Sequence, residues 1–148
     1  MMMGTTTTTS RPRWEHFPHE SDIGIRGIAA TLEEAFVQAA LGLTAVIADT
    51  DAVSPREKVA ISCEGTDKEI LFLDWINALI YEMATRRMLF SRFEVSFAEG
   101  GLQGRAWGEP IDPVKHHPAV EVKGATFTEL KVYRDNTGSW VAQCVVDV

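Results

Sequence analysis

The sequence predicts an α+β domain in which a largely antiparallel sheet packs with two main helices. Two long segments carry apolar residues at helical spacing, and nearly all the rest reads as short alternating strands separated by turn residues. The order of these pieces lacks the regular strand–helix–strand alternation of a parallel sheet. At 148 residues the chain fits one domain that buries most of the apolar surface its unfolded form exposes.

Residues 1–12, with their threonine run, carry no apolar payload to offset ordering entropy and read as a disordered leader, so the domain spans 13–148. "WEHF" and "DIGIRGIAA" are strand signals, and Gly24 and Gly27 mark bulges or close backbone approach. Thr31 with Glu34 forms a capping-box pattern, and Leu32, Ala35, Phe36, Ala39, Leu43, Val46 and Ile47 recur on one face of a helix over 31–48. "KVAISCEG" alternates as a strand. Thr66 and Glu69 repeat the capping pattern before "ILFLDWINALIYEMATRR", whose apolar residues cover more than half the helical circumference. "MLFSRFEVSF" and "LQGRAWG" flank Gly100-Gly101 as a hairpin. After the proline-containing loop "EPIDPVKHHP" come three strand candidates, "AVEVKG", "TFTELKVYR" and "SWVAQCVVDV", with "DNTG" as the turn between the last two.

The formal net charge of −7, with no basic run beyond Arg86-Arg87, argues against tight direct grip on RNA or DNA. Cys63 and Cys144 lie inside alternating apolar segments and read as buried free thiols, which favours a reducing compartment. No signal peptide or membrane span is legible, and a cytoplasmic location is the expectation. Nucleophile-elbow, Walker and dinucleotide-binding motifs are absent from the sequence.

Polar chemistry concentrates in "HFPHESDIG", in His116-His117 and at the chain end, Asp147-Val148. His16 and His19 lack the helical spacing of a zinc protease, and two adjacent histidines point apart in extended chain. Asp22, Asp147 and the Val148 carboxylate would make an all-oxygen set for a hard cation if the second and last strands were neighbours. A penultimate aspartate is also what a solvated chain end looks like.

Taken together, "HFPHESDIGIRG", "TLEEAFVQAALGL", "LDWINALIYE", "FSRFEV", "GEPID", "EVKGATF" and the terminal "VVDV" resemble the archease family, in its order and over nearly the whole domain. Glu20-Ser21 stand where that family has Thr-Ala, and Gly124 and Thr128 where it commonly has Ala and His. The resemblance implies a small non-catalytic α+β protein that activates the GTP-dependent RNA ligase of tRNA splicing and RNA repair. Such a protein promotes ligase guanylylation and turnover and broadens nucleotide use. It also implies a divalent cation, calcium by expectation, on Asp22, Asp147 and Val148, and makes Lys123 either a salt-bridge residue or a partner contact. Two other readings stand beside it: a metal-dependent hydrolase using His19, Glu20, Asp22 and Asp147, and a chaperone-like binding module.

Overall fold

The computed structural model describes residues 11–148, so the leader expected over 1–12 lies, for residues 1–10, outside the described residues. Two antiparallel sheets share one core. The first has the order β1 (Arg13–His19), β2 (Asp22–Ala29), β8 (Trp140–Asp147), β6 (Gly124–Ala125), with β7 (Lys131–Arg134) also paired to β8. The second has the order β3 (Glu57–Glu64), β5 (Gly101–Pro110), β4 (Met88–Ala98). Helix α1 (Leu32–Ile47) packs against β2 on one side and β4 on the other, and α2 (Lys68–Arg86) meets both sheets.

Alternation explains the sheets. In β3, Val59, Ile61 and Cys63 are buried while Lys58, Ala60, Ser62 and Glu64 are exposed. In β2, the register with β1 runs without a bulge, so the two glycines serve close approach instead. A Cβ on Gly27 would lie 2.0 Å from the carbonyl oxygen of Ala35, so its absence lets α1 lie directly on the strand. Helix α1 begins as the sequence predicts, with Thr31 Oγ1 accepting the Glu34 N–H at 3.1 Å. Its buried Phe36 meets Phe72 of α2 edge-on, with ring centroids 5.1 Å apart, and the Trp75 indole N–H donates to the Phe36 carbonyl at 3.1 Å. Both cysteines are buried and free, and burial pushes the Cys63 thiol to about 11 and Cys144 to about 12.

Four expectations are corrected. The N-cap of α2 is Asp67, not Thr66: its carboxylate accepts the Glu69 and Ile70 N–H groups, and an acidic cap adds a favourable charge at the helix N-terminus. "AVEVKG" is a strand only at Gly124, continuing into Ala125. Residues 119–122 instead close over the end of α1, where the Ala119 N–H donates to the Ile47 carbonyl and Val122 is buried. "TFTELKVYR" forms a strand only over Lys131–Arg134. The proline loop holds a short helix, α3 (Pro113–His116), capped by Asp112 and with Pro113 in its first turn.

Candidate functional site

Strand β2 lies beside β8, with Ile23 opposite Val146 and Ile25 opposite Cys144. Continued by one position, this register sets Asp22 against Asp147, and His19 pairs with Asp22 on the other side. The residues singled out in the sequence, Asp22, Asp147 and Val148, therefore lie together at one end of the first sheet. Asp22 Oδ1 accepts the backbone N–H of Val148 at 3.3 Å, which pins the last residue beside the second strand. Asp22, Asp147 and Val148 are each half-buried.

Both faces of β8 pack, so its end is a rim rather than a frayed tail. Trp140, Ala142, Cys144 and Val146 face the main core, while Val141, Gln143 and Val145 on the other face are also buried. Gln143 accepts from Arg26 at 2.8 Å and donates to the Glu129 carbonyl at 3.1 Å. Arg26 continues to Glu15 at 3.0 Å, and this hydrogen bond holds the Glu15 carboxyl below its ordinary range. Strand β6, which covers the far edge of β8, is held in turn by Asn77 of α2, which the sequence reading missed. Its amide accepts from the Ala125 N–H at 2.8 Å and donates to the Ala125 carbonyl at 3.3 Å, standing in for a neighbouring strand.

The donor set at this corner is all oxygen and anionic, which fits a hard cation. Among the described residues no Lys or Arg forms an ion pair with Asp22, Asp147 or the chain end, and no three His, Cys, Asp or Glu side chains gather at metal-holding distance. A cation held at this corner would therefore need the Val148 carboxylate as a third group beside Asp22 and Asp147. Lys123 adjoins it through its backbone, whose N–H donates to the Asp147 carbonyl at 2.9 Å. Its side chain lines a groove with Asn77 and Tyr81.

The remaining candidates disperse. His16 is tied to α1 through Nε2 and the Gly42 carbonyl at 2.8 Å. His19 Nδ1 lies 3.8 Å from Glu20, whose side chain is 85% exposed. His116 is buried and His117 exposed.

A second polar cluster escaped the sequence reading. Glu109, at the end of β5, is buried and receives the Ser54 N–H at 2.9 Å, Lys115 Nζ at 2.7 Å and His116 Nε2 at 2.8 Å, with Arg56 at 3.6 Å. The Asp112 N–H donates to His116 Nδ1 at 2.9 Å, which leaves the ring proton on Nε2, facing the carboxylate. Lys115, the Ser54 N–H and His116 together hold the Glu109 carboxyl down at about 2. An acid followed six and seven residues later by Lys and His was the available signal, but Ser54 is too distant in sequence to be read.

Residues 14–148 match the model of the Archease protein family (MTH1598/TM1083). The chain belongs to the archease family. It is 39% identical over 140 residues to the archease of Pyrococcus furiosus, spanning 92% of this chain and 99% of that one. It is 42% identical over 139 residues to the archease of Methanopyrus kandleri, spanning 91% and 99%. The solution structure of protein 1598 from Methanobacterium thermoautotrophicum superposes with a TM-score of 0.80 at 32% identity, covering 91% of this chain and 98% of that chain. The crystal structure of a Thermotoga maritima archease, described as a possible chaperone, shares the fold with a TM-score of 0.59 at 16% identity over both chains entire. The α+β archease fold over one domain is therefore established. Among the described residues no helix is long and apolar enough to cross a membrane.

Proposed function

We propose that this archease is a non-catalytic, divalent-cation-binding activator of the GTP-dependent RNA ligase of tRNA splicing and RNA repair, acting in the cytoplasm. In this reading it promotes ligase guanylylation and turnover and broadens nucleotide use. Family membership supports the class of role, and one observation supports the cation site: Asp22 reaches the Val148 N–H at 3.3 Å, joining the strand ends that carry Asp22, Asp147 and Val148. Asp22, Asp147 and the Val148 carboxylate would hold the cation, calcium by expectation. When bound, it offsets their mutual repulsion and turns an acidic edge into one that attracts oxygen ligands. Asp22 orients the chain end, and Asn77 and the β8 packing keep that end from fraying.

The direct experiment measures ligase–GMP formation with GTP and a divalent cation at increasing archease. A dose-dependent rise in rate is expected, and a flat response sinks the ligase reading.

A chaperone-like module is the second reading. It is favoured by an apolar groove of about 440 Å³ between α2 and residues 118–122, lined by Ile47, Ile80, Met83, Leu89, Ile111 and Val120. Suppression of aggregation of several unrelated clients, with guanylylation unchanged, would favour it. No observation favours the hydrolase reading, in which the solvent-facing Glu20 would have to act with His19.

A further inference from the structure

The second sheet buries one face beneath the helices and leaves the other open. On the open face Lys58, Trp107 and Arg92 stand in one cross-strand row, and Ala60, Arg105 and Glu94 in the next. Trp107 is half-buried and the others are exposed. The following row, Ser62, Gln103 and Ser96, is polar and uncharged, and the last, at the hairpin end, carries exposed Glu64. The Arg92 guanidinium lies over the Trp107 indole, 4.3 Å from the ring centroid. Arg92 and Arg105 reach the two oxygens of Glu94 at 3.2 and 3.1 Å, and a guanidinium has five donors, so most remain for a ligand. Lys58 has no ion-pair partner among the described residues. Arg56, 72% exposed, extends the same end beside buried Glu109. Glu57 alternates to the opposite face of β3.

On a chain of net charge −7 the end of this face that holds Lys58, Arg92, Arg105 and Arg56 against Glu94 inverts the local sign, while Glu64 keeps the hairpin end acidic, and the basic end therefore favours an anionic partner. The stacked guanidinium and indole decide which kind. A guanidinium over an indole, among cations on an open sheet face, is the combination that holds unpaired bases and the backbone between them. An acidic protein segment would use the charges and leave the stacked pair idle. We infer that the open face of β3-β5-β4 is a docking surface for single-stranded polynucleotide, with phosphates on Lys58, Arg105 and Arg56 and a base stacked on Arg92 over Trp107. The surface is separate from the cation site and does not rest on the ligase proposal. The molecule's overall acidity keeps the binding weak and salt-dependent, in keeping with the absence of a long basic stripe.

The test uses the full chain alone and fluorescein-labelled oligouridylate or oligothymidylate of about 12 nucleotides, followed by anisotropy at about 50 mM salt. Saturable binding is expected with both probes. Lys58→Ala should lower the salt slope by about 0.7, the share of one phosphate contact on a single strand. Arg92→Ala should weaken binding about tenfold, in line with loss of one stacked base. Circular dichroism would verify the fold, and Trp107→Phe, which keeps an aromatic ring, should retain most of the affinity. Absence of saturable binding, an unchanged affinity in both alanine variants, or displacement by polyglutamate at equal charge concentration would each overturn the inference. The last outcome would assign the face to an acidic protein.

Discussion

Glu109 and Asp22 are both strand-end carboxylates partly or wholly withdrawn from water, and the protein treats them in opposite ways. Glu109 is surrounded by donors: a backbone N–H, an ammonium, an imidazole and a more distant guanidinium. Asp22 receives one backbone N–H, from Val148, and lies in register with Asp147 with no cationic side chain paired to either among the described residues. A buried anion that is fully hydrogen-bonded holds structure together, because its partners come from segments far apart in sequence. Half-exposed anions near one another with no cationic side chain repel, and water or a cation from outside can offset that repulsion. The first cluster is complete within the chain, and the second is the one the cation proposal addresses.

The largest effect should follow from emptying the complete cluster. Glu109→Gln keeps one accepting oxygen for the three converging donors but removes the charge that pairs with Lys115 and turns an NH2 toward Arg56, so the lock on the Ser54 loop and α3 is weakened. Thermal denaturation should show a fall in Tm of roughly 5–10 °C. A Tm within a degree of the parent would mean that the donors find other acceptors and the cluster is not a structural lock.

The opposite behaviour is expected at the cation corner. Asp22→Asn keeps the oxygen that accepts the Val148 N–H but removes a charge, and Asp147→Asn removes another. Without added cation both variants should melt at or slightly above the parent temperature. Calcium should raise the parent Tm, since a ligand selective for the native state stabilises it. In either variant titration calorimetry should show affinity weakened by about tenfold or more. One added C-terminal residue should act likewise by moving the carboxylate away from Val148. Unchanged calcium affinity in the extended chain would remove the terminal group from the site.

Acid separates the two regions again. The Glu109 carboxyl titrates at about 2 in the folded chain against an ordinary value of 4.5, a depression caused first by Lys115. Its stabilisation is therefore fully present above about pH 4.5 and is lost as pH falls toward 2. Glu15, lowered by Arg26, and Asp135, lowered by Thr137, add the same sign. Melting temperature plotted from pH 7 to 2 should bend downward in the parent below about 4.5, and the bend should be shallower in Glu109→Gln. Parallel curves would assign the acid limb to other carboxylates.

What could be read from the sequence follows the same division. Helix α1, the β4-β5 hairpin and the β8 faces are periodic over many residues, and period is a local signal. The meeting of Asp22 and Asp147 was legible because it needed only one topological condition, adjacency of β2 and β8, together with the chemistry of hard donors. "AVEV" misled because its alternation is satisfied by packing beside Ile47 and not by a ladder. Asn77 was invisible because its partner lies 48 residues away, and the Glu109 cluster was only half legible, since Lys115 and His116 follow closely but Ser54 lies 55 residues away and a polar side chain carries no mark of whom it will meet.

The smallest expected effect sharpens the contrast within a single dipeptide. His116 is buried, donates to Glu109 and accepts from Asp112, so it belongs to the complete cluster. His117 is exposed and closes α3 in the left-handed region, with φ 47° and its N–H donated to the Pro113 carbonyl. That conformation favours glycine, and its local relief is partly offset by the greater freedom glycine gives the unfolded chain. His117→Gly should therefore raise stability by less than about 1 kcal/mol, a shift of one to a few degrees in Tm. His116→Gln, by contrast, should lower Tm, because an amide cannot reach Glu109 and Asp112 at once in place of the ring. A marked loss of stability in His117→Gly would show that its ring makes a contact that its exposure does not suggest, and the division drawn between the two histidines would fail.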